Sequence, residues 1–165
     1  VHQRRAHIRV LYERYRKQLQ DSSAPVQGLL FPERVELSVG ESSVLESISS
    51  EMLSLGFDIS SLGGGTYVLQ GVPADLDGLS PVKLLMDILH STMEQTTGAK
   101  EKMYDQLANV MAKDVAIVSG QLLSAEEMKS LVDELFRTPL PSRTPDGKTI
   151  IHIVSDNEID RFFTK

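Results

Sequence analysis

Ser38-Val-Gly-Glu-Ser-Ser-Val-Leu-Glu-Ser-Ile-Ser-Ser-Glu-Met-Leu-Ser-Leu-Gly56 is the stretch whose reading decides the fold. Ser38 and Glu41 stand three apart, so hydroxyl and carboxylate can each satisfy a free amide at a helix start. Val44, Leu45, Ile48, Met52 and Leu55 then recur at helical spacing, and Gly56 supplies a left-handed stop. Immediately before this helix, Val35 and Leu37 alternate with Arg34, Glu36 and Ser38 in an extended run from Leu29. After it, residues 57–59 and 66–72 read as two strands turning around Gly63-Gly64-Gly65, and Ser80-Pro81 opens a helix carrying Val82, Leu85, Ile88 and Leu89. Strand, helix, strand, strand, helix is an α+β unit.

Farther out, Ile8, Leu11, Tyr12, Tyr15 and Leu19 form the stripe of an amphipathic helix over residues 4–19, and Asp21 to Pro25 reads as a linker. Past Thr96-Thr97-Gly98, a long helix is expected over residues 100–118 on Met103, Leu107, Val110, Met111 and Val115, ended by Gly120. Ser124 with Glu127 forms a second capping box, opening a helix with Leu131, Val132, Leu135 and Phe136. A Pro-rich loop ends in the turn Asp146-Gly147, the β-branched run 149–154 reads as a strand, and Ser155 with Glu158 caps a short last helix ending in Phe162-Phe163.

Composition excludes several classes of function. The 165 residues are 41% hydrophobic and 24% charged and contain no cysteine, which removes disulfides, thiolate metal sites and cysteine nucleophiles. No apolar run approaches the roughly 18 residues of a membrane span, and a cytoplasmic location is expected. The net charge of −6 argues against a body that wraps DNA. Residues 1–20 nevertheless hold six cations against Glu13 alone, a net of +5, leaving −11 for the rest. Arg5, Arg9 and Arg16 are therefore the candidates for weak DNA contact, set against the plain reading of a solvated helix face. The glycine triplet precedes β-formers rather than a helix start, which suits a turn and not a phosphate loop. His2, His7, His90 and His152 have no metal-ligand spacing. The residues alone describe a binding or assembly module.

The order of segments resembles the MutL family. His2-Gln-Arg-Arg-Ala-His-Ile-Arg-Val-Leu-Tyr-Glu13 resembles DQHAAHERxxYE, and Gln27-Gly-Leu-Leu-Phe-Pro32 resembles QxLLxP. Leu55 to Ile59, Val72-Pro73, Leu123 to Met128 and Thr144 to Lys148 follow in the family's order. Nuclease-bearing relatives hold divalent metal with DQHAxxExxxxE, an ACR-type segment and CPHGRP. At matching positions this chain has His2, Arg4 and Ile8, keeping only Glu13, then Lys113 and Asp114 for the cysteine and its neighbour, and Thr144-Pro145-Asp146 for CPH. The resemblance implies the branch without the nuclease site, with no metal and no catalytic residue in this domain.

The same resemblance implies two lobes: residues 1–27 plus 115–165 as a dimerisation lobe with an antiparallel sheet and helices, and residues 28–114 as an inserted β-α-β-β-α lobe. It implies a fragment of a longer protein whose N-terminal ATPase domain of the GHKL type takes ATP and magnesium, with MutS and a sliding clamp as partners. Gln27, Leu30, Phe31 and Pro32 resemble a clamp-binding peptide, in which Gln enters a polar pocket and an apolar pair fills a cleft; the alternative is the start of a buried strand. Ile150, Ile151 and Ile153, on the expected terminal strand, are the candidate interface of a two-fold homodimer.

Overall fold

The computed structural model describes residues 1–22, 24–74, 76, 79–93 and 100–163. Thr96-Thr97-Gly98, ahead of the expected long helix, lies outside the described residues. The elements are α1 (Gln3–Asp21), β1 (Val26–Glu36), α2 (Val39–Ser47), α3 (Ser49–Ser54), β2 (Asp58–Gly63), β3 (Thr66–Pro73), α4 (Pro81–Met93), α5 (Lys100–Val115), α6 (Ala125–Phe136) and α7 (Asp156–Arg161). The fold is α+β, with one antiparallel sheet of order β1-β3-β2.

The chain divides into two compact units, residues 1–10 with 117–165 and residues 11–116. The division falls inside α1, because its C-terminal half is tied to α5. The Tyr12 hydroxyl donates to Asp105 at 2.9 Å, and Arg16 Nε meets the same carboxylate oxygen at 2.8 Å. Burial and the hydrogen bond to Asp105 push the Tyr12 phenol up to about 12, so it stays a donor.

In the unit of residues 11–116, β3 is the central strand and α4 packs against α2 and α5. Leu84, Leu85, Ile88 and Leu89 of α4 are buried, as are Leu107, Ala108, Met111 and Ala112 of α5. The expected capping box is present: Ser38 N donates to Glu41 Oε2 at 2.8 Å, and Glu41 N donates to Ser38 Oγ at 3.3 Å. Instead of one helix from Ser38 to Gly56 there are two. The Ser47 hydroxyl donates to Val44 O at 2.7 Å, competing for the carbonyl that Ile48 N reaches at 3.1 Å, and Ile48 bends to φ −116°. Gly56 stops α3 with φ +95°, and a side chain there would meet Pro25 O at 3.0 Å. The glycine triplet is the β2–β3 turn; a Cβ on Gly65 would lie 2.7 Å from Leu37 O.

The unit of residues 1–10 and 117–165 is built around Ala6, Val10, Leu135 and Ile150, with Leu131 and Ile151 packed on them. Two expectations fail here. The long helix ends at Val115, not near Gly120, because the Ile117 amide is taken by His7 Nδ1 at 3.1 Å. The run 149–154 is not a strand: its ladder is a single bridge between Thr149 and Arg143, and this unit contains no sheet among the described residues. A strand exists only through a paired neighbour, and β-branched composition alone cannot supply one.

Hydrogen bonds from the Ser38 side chain and backbone, then from His90 at 3.0 Å, hold the Glu41 carboxyl below its ordinary 4.5. Stability from this group is therefore complete above that value and is lost as pH falls through the depressed folded value. Urea denaturation should show wild type above Glu41→Gln at neutral pH, with the gap closing on acidification; a pH-independent gap would contradict the assignment.

Candidate interaction surfaces

Three stretches carry the residues expected to act, and the structure treats each differently. On α1, guanidinium donors turn inward. Arg9 is 5% exposed and donates through Nε to Arg143 O at 2.7 Å. It holds a main-chain carbonyl and cannot reach a phosphate, which corrects its assignment to DNA. Arg5 donates to Thr149 O at 2.7 Å while remaining partly exposed, and Arg16 is paired with Asp105. Exposed cations on the helix are Arg14 and Lys17.

The second stretch is Gln27 to Pro32. Its pairing with β3 runs Val26↔Pro73, Gln27↔Val72, Gly28↔Gly71 and then jumps to Glu33↔Leu69. Five steps on β1 thus oppose two on β3, and the surplus leaves the ladder as a bulge. Leu30 is 93% and Phe31 86% exposed, and Gln27 and Pro32 are exposed too. These side chains do not enter the sheet's buried face, so the buried-strand alternative does not describe them. Burial on β1 begins at Val35.

The third stretch is the chain's end. Ile150 is 2% exposed and belongs to the core with Ala6, Val10 and Leu135, so it is a packing residue and not an interface residue. Ile151 is half-buried on the same cluster. Ile153 is 84% exposed, and every described residue from 152 to 163 is exposed. The segment is ordered locally: the Glu158 carboxylate accepts from Ser155 N at 2.9 Å and Oγ at 3.0 Å, which holds its pKa below the ordinary value.

Sequence reasoning missed Phe136, Leu140, Phe162 and Phe163, all exposed in this unit. Of the chain's five phenylalanines, four are exposed and only Phe57 is buried. A Phe side chain removes some 150–250 Å² from water when covered, so Phe136, Phe162 and Phe163 leave a large apolar area of this unit in water. The available signal was the spacing of Ile159, Phe162 and Phe163, three and four apart and so on one helix face.

Side chains at two positions matching the nuclease motifs are engaged within the chain. Arg4 donates to Ile117 O at 2.7 Å. The Asp146 carboxylate accepts the Thr144 hydroxyl on one oxygen and meets Lys148 Nζ at 3.1 Å on the other. Among the described residues no group of three His, Asp or Glu could hold a metal ion, and no helix is long and apolar enough to cross a membrane.

The family model for the MutL C terminal dimerisation domain matches residues 1–123. Over 163 residues, 99% of this chain, the sequence is 48% identical to a DNA mismatch repair protein MutL of Bacteroides fragilis, 26% of whose length is matched. The same share of this chain is 40% identical to the MutL of Phocaeicola vulgatus over 26% of that protein, and 39% identical to the MutL of Chlorobium chlorochromatii over 25%. The chain spans about a quarter of the length of these curated relatives.

Ile150→Ala should cost about 2–4 kcal/mol in urea denaturation through lost core packing, whereas Ile153→Ala should stay within about 0.5 kcal/mol in the isolated protomer. Equal costs would return Ile150 to the surface.

Proposed function

The chain belongs to the MutL C-terminal dimerisation domain family, the part that pairs two copies of a DNA mismatch repair protein, and from that premise we propose that its self-association surface lies on residues 153–163 with Phe136 and Leu140. The observation that carries this is the exposed phenylalanine excess in the unit of residues 1–10 and 117–165. Phe136, Phe162 and Phe163 contribute on the order of 500 Å² per protomer at usual aromatic burial. With Ile153, Leu140 and Ile159 this approaches the roughly 800 Å² per partner of a stable interface. A two-fold pairing joins each patch to its own copy. In the whole protein this would link two N-terminal ATPase arms that bind ATP and magnesium, relay signals from MutS, and act in the cytoplasm.

This domain acts without its own nuclease in this reading. Support comes from the cations Arg4 and Lys113 and the apolar Ile8 at matching positions, from Asp146 already occupied by Thr144 and Lys148, and from the lack of cysteine. DNA contact through Arg5 and Arg16, both partly exposed on α1, would be weak and would fall steeply with salt.

A second surface has its own support. The bulge that exposes Leu30 and Phe31 beside Gln27 and Pro32 has the form of a peptide offered to a sliding clamp: two apolar side chains for a cleft and an amide for a polar pocket.

Sedimentation equilibrium at micromolar concentration should give twice the 18.3 kDa mass of the chain, and Ile153→Glu or Phe163→Asp should halve it without lowering the protomer's stability. A folded monomer at all concentrations would reject the dimer surface. Gln27→Ala with Phe31→Ala should abolish clamp capture at unchanged melting temperature; a sharp drop in melting would restore the buried-strand reading. Supercoiled plasmid with manganese should remain intact, and nicking that disappears in Glu13→Ala would refute the non-nuclease reading.

A further inference from the structure

A cleft of about 480 Å³ opens between α2–α3 and β2, and neither surface above uses it. Leu45, Met52, Phe57 and Tyr67 form a buried apolar floor, and Leu53 stands at the lip, 58% exposed. Asp58, Ile59 and Ser61 all line it. The register of β2 on β3 shifts between Asp58 and Ile59, and with Asp58, Ile59 and Ser61 all lining it the cleft runs along β2. β2 ends the sheet, and its outer edge has no neighbouring strand among the described residues. The cleft meets a second one of about 440 Å³ that shares Glu46, Ser61 and Tyr67 and runs toward the glycine turn. Together they form a groove and not an enclosed pocket.

The groove's charge has one sign. Glu46 and Asp58 sit on its lining, no Lys or Arg does, and the C-terminal end of α2 adds partial negative charge. Phosphate is repelled by such a lining, and an open groove encloses too little of a small molecule to hold it well. An extended backbone beside a strand edge, an apolar side chain over Leu53 and Met52, and a neighbouring cation satisfy all three features together. We propose that this groove receives an extended peptide segment of another protein, added alongside β2, whose apolar residue fills the cleft and whose adjacent Lys or Arg is held by Glu46 and Asp58.

The test uses the full-length protein and a fluorescein-labelled peptide, Gly-Lys-Val-Phe-Arg-Val-Gly, followed by fluorescence anisotropy. Leu53→Asp, on an exposed side chain, should weaken binding by about tenfold. Glu46→Gln with Asp58→Asn should weaken it about fivefold, and Glu46→Gln retains an acceptor for the Tyr67 hydroxyl, which lies 3.3 Å from Glu46. A peptide with Glu in place of its Lys and Arg, and one N-methylated at alternate residues, should not bind. The proposal is overturned by no binding at about 1 mM peptide, by equal affinity for wild type and Leu53→Asp, or by equal binding of the Glu-containing peptide. Loss of self-association in Leu53→Asp would also overturn it, by making a second copy the occupant.

Discussion

Three guanidinium groups on the first turns of α1 hold main-chain carbonyls: Arg4 that of Ile117, Arg5 that of Thr149 and Arg9 that of Arg143, each at 2.7 Å. The accepting carbonyls lie in irregular segments, where no ladder or helix satisfies them. A charged donor makes a stronger hydrogen bond than a neutral one, which favours these contacts. Ile117 is gripped twice, since its amide also donates to His7. The returning chain is therefore located by α1 side chains together with the packing of Leu131 and Leu135 of α6 on Ala6 and Val10. His2 N completes the arrangement by donating to Ile150 O at 2.9 Å, which places Ile150 over Ala6 and Val10.

That constraint explains where the exposed surface begins. At Ile150 backbone and side chain are both engaged: the carbonyl accepts from His2 N, the amide donates to Ser142 O, and the side chain packs on Ala6 and Val10. Beyond Ile151 every described residue up to 163 is exposed, and the segment carries its own capping box between Ser155 and Glu158. In the proposed function, this uncovered apolar area is what a second copy would cover.

Local chemistry was legible in the sequence wherever one or two neighbours decide the outcome. The boxes at Ser38 and Ser124, the stop at Gly56 and the stripe of Ile8, Leu11, Tyr12, Tyr15 and Leu19 depend on spacings of three to four residues, and all are present. What escaped depends on distant partners. Nothing in residues 38–56 announces that Ser47 will draw off the Val44 carbonyl, and nothing in the long helix shows that His7 will claim the Ile117 amide. The run 149–154 has strand composition but lacks a strand to pair with, so Ile150 became core and Ile153 surface. The arginines of α1 followed the same logic: charge was visible, but the carbonyls awaiting it were more than a hundred residues away.

The bulge in β1 has a consequence for solubility. β1 is an outer strand of eleven residues, and an outer strand of that length presents a row of backbone groups that other chains can extend into aggregates. Between Gly28 and Glu33 the register breaks, Pro32 contributes no amide, and Glu33, Arg34 and Glu36 set alternating charges along the remainder. The row is thereby cut into two short pieces flanked by charge, too brief to template a continuous ladder. The irregularity that lifts Leu30 and Phe31 into water also keeps the β1 edge from extending the sheet beyond the molecule.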